Sequence, residues 1–139
     1  DILYIIMINI MTLKINQKSM EPILFDGQHV LVTRKKKYNK GDIIVFLDNF
    51  DGLYKIKYIF GIPNETLGFK EKTLNLISDD DDCLLYQKVI NLKDNEFYVL
   101  GYNDLMSTDS RHFGPISTEQ IVGKLILRYY PLKSFKVFK

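Results

Sequence analysis

A single cysteine, Cys83, is all that the 139-residue chain holds. That excludes an internal disulfide and a cysteine-built zinc site, and Cys83 reads as an inert free thiol. Tryptophan is absent. An excess of charge is missing as well: the net charge is +2 at pH 7. This is too near neutral for a nucleic-acid surface, and no basic stripe is interleaved with aromatics. No stretch reaches the roughly 18–20 apolar residues that cross a bilayer. The opening "DILYIIMINIM" is about half that length, is broken by Asn9, and starts on Asp rather than Met. It reads as a buried first strand or as the stub of a membrane anchor. The Ile, Tyr and Leu that run on into "TLKI" favour the strand. The acidic run "SDDDD" at 78–82 has neither the Gly nor the distal Glu of an EF-hand loop, so it reads as a mobile loop and no metal or other cofactor is expected.

What is present suits one globular unit with one core. The hydrophobic fraction is 46% and the charged fraction 26%, both ordinary for a folded domain. Nine Tyr and nine Phe can fill a β-rich interior. Short apolar runs punctuated by Gly, Asn, Asp and Pro predict strands near 3–15, 28–34, 42–47, 53–60, 65–69, 84–90, 96–101 and 121–130. Asp26-Gly27 and "NKGD" at 39–42 are turn signals. Ser117 with Gln120 three residues later has capping-box spacing and predicts one helical turn. "RKKK" at 34–37 reads as a solvated hairpin tip that can also meet anionic headgroups. The expectation is an all-β protein.

Ser19 lies in "INQKSMEPILF", where a serine can cap a turn or act as a nucleophile. A nucleophile needs a base that is unprotonated at working pH and donors for the oxyanion. His29 in "GQHVLV" and His112 in "SRHFGP" have no Asp placed to orient them, so both read as structural. A lysine serves instead if burial strips its proton. Lys55 and Lys57 in "LYKIKYIFGIP" share one strand face. Either both face solvent on an edge strand, or one reaches a site while the other's charge lowers its pKa. A third stretch, "VLGYNDLMSTDSRHFGPI", supplies small hydroxyls, an Asp109–Arg111 ion pair that stiffens the loop, and Ser107, placed to hydrogen-bond an amine.

In this order the stretches resemble the Ser-Lys signal peptidases, the bacterial type I enzymes and their relatives in the mitochondrial inner membrane and thylakoid. The match spans about residues 15–131. "SMEP" at 19–22 resembles the nucleophile motif Ser-Met-x-Pro, and "KGDIIVF" at 40–46 resembles a Lys/Arg-Gly-Asp-Ile-Val strand. "IKYIFGIP" resembles Lys-Arg-Val-Ile-Gly-Leu-Pro, whose lysine is the base. "LGYNDLMSTDSRHFGPI" resembles Gly-Asp-Asn-x-x-x-Ser-x-Asp-Ser-Arg-x-x-Gly, and "IVGKLILRYYP" the closing Ile-x-Gly-Lys strand. The resemblance makes Ser19 the nucleophile and Lys57, not Lys55, the base. Ser107 then orients Lys57, Asp109 and Arg111 support it, and Met20, Pro22 and Ile23 line the substrate groove.

Several positions depart from the motifs. Tyr58 stands for Arg, Tyr102 for Asp, Asp104 for Arg in many members, Asn64 for Gly and Ile23 for Thr. Gln17 stands where some members have Ser or Thr. These departures keep open an alternative, a catalytically silent homologue that binds preproteins or a partner peptidase subunit.

The resemblance implies a coiled antiparallel β-sheet body in one catalytic domain over 1–139, with a small cap inserted at about 64–95 and a membrane anchor upstream of residue 1. It implies preprotein substrates with small residues at −1 and −3, cut at a membrane surface. The compartment would be the extracytoplasmic side of a bacterial membrane or the intermembrane-space side of the mitochondrial inner membrane. The short insert and "FGPIS" at 113–117 lean towards the mitochondrial branch. Met20, Ile23 and Phe25, with part of the opening run, are expected to form an apolar rim for the bilayer.

Overall fold

A computed structural model describes residues 9–139. Residues 1–8, and with them the choice between first strand and anchor stub, lie outside the described residues. The fold is mainly β and antiparallel. β1 (Ile10–Lys14) turns back on β2 (His29–Thr33) with Ile10 opposite Thr33 and Lys14 opposite His29. Gly27, at φ +86°, closes that turn in a conformation that side chains disfavour. β3 (Ile43–Leu47) and β4 (Tyr54–Gly61) pair next, with Ile44 opposite Lys57. β5 (Thr66–Lys70), β6 (Thr73–Ile77) and β7 (Lys88–Asn91) form a separate sheet in the order β6-β5-β7.

β8 (Glu96–Leu100) returns beside β4, and the short helix α1 (Ser110–Phe113) follows. β9 (Ile116–Ser117), the long β10 (Ile121–Tyr130) and β11 (Lys136–Val137) complete the chain. Among the described residues the main sheet runs β1-β2-β10-β3-β4-β8-β9, with β11 on β10.

The main sheet is covered on both faces, which the unbroken apolar run of β3 anticipates. Ile43 and Val45 point to one cluster with Ile15, Met20, Leu24, Val30 and Leu125. Ile44 and Phe46 point to the other, with Ile59, Phe97, Val99 and Ile116. The small sheet packs on β4 and β8 through Leu67 and Leu92 against Tyr98 and Leu100.

Three expectations change. β6 was not anticipated, and the strand expected at 84–90 starts at Lys88, because the Asp82 carboxylate accepts from Leu84 N–H and caps a 3₁₀ turn over Cys83–Leu85. The helix at 110–113 was not expected; Asp109 caps it. The predicted turn at Ser117 forms as a 3₁₀ turn, with Gln120 Oε1 accepting from Ser117 N–H at 2.9 Å.

Met20 is the clearest correction. It is 1% exposed, so it lines neither groove nor rim. The N–H groups of Ile23 and Leu24 both donate to its carbonyl at 2.9 Å, and this turn places Met20 and Leu24 together in the core. Burying such a side chain stabilises by about 1.5–3 kcal/mol, so Met20 goes inward. Pro22 and Phe25 stay exposed, and Ile23 is half-buried.

Candidate active site

The turn that buries Met20 leaves Ser19 at its start, against β4. The Ser19 hydroxyl and the Lys57 amine are hydrogen-bonded, Oγ to Nζ 2.7 Å, across 38 residues of sequence. Lys57 is 1% exposed and Ser19 2%. Burial disfavours the ammonium and brings the Lys57 pKa down from 10.5 to about 8. Nearby Asp109 opposes this, and Lys55 adds a smaller push in the same direction as burial.

Lys55 occupies the same face two residues earlier, yet its amine is committed elsewhere. It pairs with Asp48 and, at 3.0 Å, with Asp51, and lies 5.4 Å from the Phe113 ring centre. Burial lowers its pKa and the two carboxylates more than reverse that, so it stays charged. Strand alternation alone left the two lysines equivalent and the resemblance favoured Lys57; in the structure it is Lys57 that meets Ser19.

The loop after β8 holds Ser19 from the other side. Asn103 N–H donates to the Ser19 carbonyl at 2.8 Å and its side-chain amide to the Lys18 carbonyl at 3.1 Å. Gly101 sits between: a Cβ there would come within 2.7 Å of Ser19 O and 2.1 Å of Ser107 Oγ. Only glycine allows that approach. Asp109 is wholly buried and accepts from Gly101 N–H, Ser107 Oγ and both edges of the Arg111 guanidinium. Burial alone would raise its pKa; Arg111, Gly101 and Ser107 together bring it below 3.8. The expected Asp109–Arg111 pair is formed, and Arg111 also reaches Asp104 at 3.1 Å.

Ser107 differs from expectation. Its hydroxyl donates to Asp109 Oδ2 at 2.9 Å, and no hydrogen bond joins it to Lys57 among the described residues. An ionised carboxylate is the stronger acceptor and takes the proton. Both histidines are structural, as read. His29 packs edge-on against Tyr129 and Tyr130, and His112 Nδ1 accepts from Asp109 N–H.

Sequence reasoning named Asn103 without a role and passed over Gly101; a glycine directly after a strand is the signal that could have found it. It also treated Tyr58, Tyr102 and Asn64 as separate departures. Tyr58 and Tyr102 stack on each other, ring centres 4.3 Å apart. Asn64 has φ +70°, where asparagine is among the few non-glycine residues that settle readily, so the exchange for Gly is locally compatible.

A cavity of about 350 Å³ lies between Leu13, Ile15 and Gln17 on one side and Leu53, Tyr54 and Ile56 on the other; Gln17 and Ile56 are its wall residues nearest in sequence to Ser19 and Lys57, neither of which lines it. Among the described residues β1 is an edge strand, and Tyr54–Lys57 pairs only with β3, because the β8 ladder begins at Tyr58. Among those residues, two unpaired backbone edges thus border this slot. No hydrogen bond among the described residues uses the Ser19 N–H. A second cavity, about 500 Å³ among Phe46, Asp48, Phe50 and Phe113, likewise has neither Ser19 nor Lys57 in its wall. Chemically, the site offers a hydroxyl, an amine with lowered proton affinity and an N–H donor.

A family model described as signal peptidase, peptidase S26, matches residues 2–80 and 76–130. Signal peptidase IB of Staphylococcus aureus is 32% identical over 151 aligned residues, covering 88% of this chain and 78% of that protein. Signal peptidase I of Bacillus caldolyticus is 33% identical over 144, covering 85% and 78%. The crystal structure of a signal peptidase I from Enterococcus faecalis matches with a TM-score of 0.50 at 25% identity, covering 65% of this chain and 97% of that one. These relatives are bacterial, and the lean towards the mitochondrial branch finds no support in them.

Proposed function

The chain belongs to the signal peptidase family, peptidase S26, and is a serine endopeptidase of signal-peptidase type; on that premise we propose that Ser19 is its nucleophile and Lys57 its general base. The observation that carries this reading is the 2.7 Å contact between a buried hydroxyl and a buried amine of lowered pKa. With the amine neutral, the Ser19 hydroxyl donates to Nζ. Lys57 takes that proton as Oγ attacks the scissile carbonyl. The Ser19 N–H stabilises the oxyanion, because it is fixed in place and has no internal acceptor to leave. The ammonium of Lys57 then protonates the leaving amine. A water activated by the same neutral amine hydrolyses the acyl-enzyme.

The substrate lies extended in the slot between β1 and the Tyr54–Lys57 edge, adding backbone hydrogen bonds to both. In an extended chain the −1 and −3 side chains fall on one side, and the family resemblance makes both small. The three-stranded sheet of β5–β7 is the cap of a catalytic domain over 1–139, packed on Tyr98 and Leu100 of β8.

Members of the family are membrane-associated. Among the described residues no helix is long and apolar enough to cross a membrane. We place the active face at the extracytoplasmic surface of a bacterial membrane. The loop whose Asn103 holds Ser19 also carries the apolar side chains of Leu105 (95% exposed) and Met106 (59% exposed). Phe25 remains available for the bilayer, and Met20 does not.

Cleavage of a preprotein bearing small −1 and −3 residues tests the assignment. Ser19→Ala abolishes it with a nearly unchanged melting temperature, and Lys57→Met abolishes it while Lys55→Met keeps turnover. Full activity in Ser19→Ala, or the reverse pattern for the lysines, overturns it.

A further inference from the structure

We propose that Tyr58 and Tyr102 form a positioning pair for the nucleophile, their stacked rings fixing the loop that holds the Ser19 carbonyl. For its activity readout the proposal rests on Ser19 as nucleophile; for its structural readout it does not.

Tyr58 follows Lys57 on β4, and its backbone is opposite Leu100, where the β4–β8 ladder ends. Beyond Leu100 the chain leaves the strand as Gly101, Tyr102 and Asn103. No ladder bond ties these residues to β4. The ring contact does: the Tyr58 and Tyr102 centres are 4.3 Å apart and the planes 24° from parallel. The next residue, Asn103, makes the two bonds to Ser19 O and Lys18 O. One ring is thus anchored beside the base, and the other beside the residue that clamps the nucleophile. Distances in a proton-transfer pair must hold to a few tenths of an ångström, and small misplacements cost rate rather than binding.

A second observation points the same way. The motifs that this chain resembles have Arg at the position of Tyr58 and Asp at that of Tyr102. Both depart here, and the two departures touch. The half-buried Tyr58 and the exposed Tyr102 meet ring to ring, a contact that needs no charge. Burial raises the pKa of both phenols, so the pair stays neutral while Lys57 titrates.

The test is a double-mutant cycle on preprotein cleavage, joined to hydrogen exchange at the Asn103 amide. Tyr58→Ala and Tyr102→Ala each lower kcat about tenfold with KM held within about threefold, and the double variant loses no more than the worse single. Tyr58→Phe and Tyr102→Phe keep kcat within about twofold, because the ring and not the hydroxyl acts. Tyr102→Asp alone is impaired, and adding Tyr58→Arg recovers activity above that single. The Asn103 amide exchanges faster in Tyr102→Ala, in both the Ser19 and Ser19→Ala backgrounds. Losses that multiply in the double variant, or unchanged Asn103 protection in folded Tyr102→Ala, overturn the proposal. The Ser19→Ala background keeps this result separate from any failure of Ser19 as nucleophile.

Discussion

Lys57 carries its amine into a site that meets almost no solvent, and its pKa falls to about 8 for that reason. Two consequences can be measured. Below pH 8 only the neutral fraction acts as base, so kcat/KM rises about tenfold per pH unit and levels off above that value. An inflection near ~6.5, the ordinary histidine range, would remove the role from Lys57. The second consequence concerns stability. Between about pH 8 and 10.5 the unfolded chain holds a proton that the folded chain has shed, so stability rises with pH across that window. Below it, folding retains a buried charge at a cost of about 3 kcal/mol. Lys57→Met removes that charge. It is therefore expected to be inactive and yet to melt higher than the wild type at pH 7 in a calorimetric scan. A lower melting temperature would contradict a depressed pKa. Lys55→Met goes the other way: it leaves buried Asp48 without its partner, loses about 2 kcal/mol and keeps turnover.

Among the elements, the segment from Gly101 to Phe113 does the most for the site, although α1 is only four residues long. Its organiser is Asp109, the N-cap of α1, with both oxygens occupied by Arg111, Gly101 and Ser107. Arg111→Ala removes the cation hydrogen-bonded to that buried carboxylate and is expected to cost about 3–5 kcal/mol, read as a fall in the urea midpoint with an unchanged slope. Because the folded pKa of Asp109 is depressed, its contribution is present above the ordinary carboxylate range and is lost as pH falls through the lower folded value. Ser107→Ala frees one bond to Asp109 and loosens the packing at Gly101. Turnover should then fall by roughly 10²-fold or less with KM unchanged. No effect on kcat would reduce Ser107 to a loop residue.

At the scale of the whole molecule, basic and apolar side chains are exposed in separate places: residues 34–37 after β2, and Leu105 and Met106 in the loop after β8. Residues 34–37 have no ion pair among the described residues, and the Arg34 N–H donates to the Asn9 carbonyl at 3.0 Å. The basic tip therefore stands where the apolar opening stretch joins β1. With Leu105 and Met106 exposed in the loop that holds Ser19, the protein is expected to co-sediment with anionic vesicles. Neutralising residues 34–37 should weaken that binding, by about 1 kcal/mol per lysine or arginine removed from the surface. Equal binding to neutral and anionic vesicles would eliminate the electrostatic part. Leu105→Asp with Met106→Asp tests the apolar part, and unchanged binding there would eliminate it.

What the sequence determined by itself is what depends on near neighbours along the chain. Apolar runs and turn residues placed the longer strands of the main sheet but not the two-residue β9 and β11, Asp26-Gly27 placed the first turn, and Ser117 with Gln120 placed a capped turn. Motif order brought Ser19, Lys57 and the Asp109–Arg111 pair into view. Burial and pairing were decided elsewhere, because they depend on partners tens of residues away. The register that sets Lys57 opposite Ile44, and the carboxylates Asp48 and Asp51 that occupy Lys55, separated two lysines that looked alike on their strand. The same holds for Met20, apolar and next to the nucleophile, which only the fold could assign to the core. It holds for Ser107, whose proton went to the strongest acceptor in reach. Tyr58 and Tyr102, 44 positions apart in the numbering, became one contact only when β8 was laid beside β4.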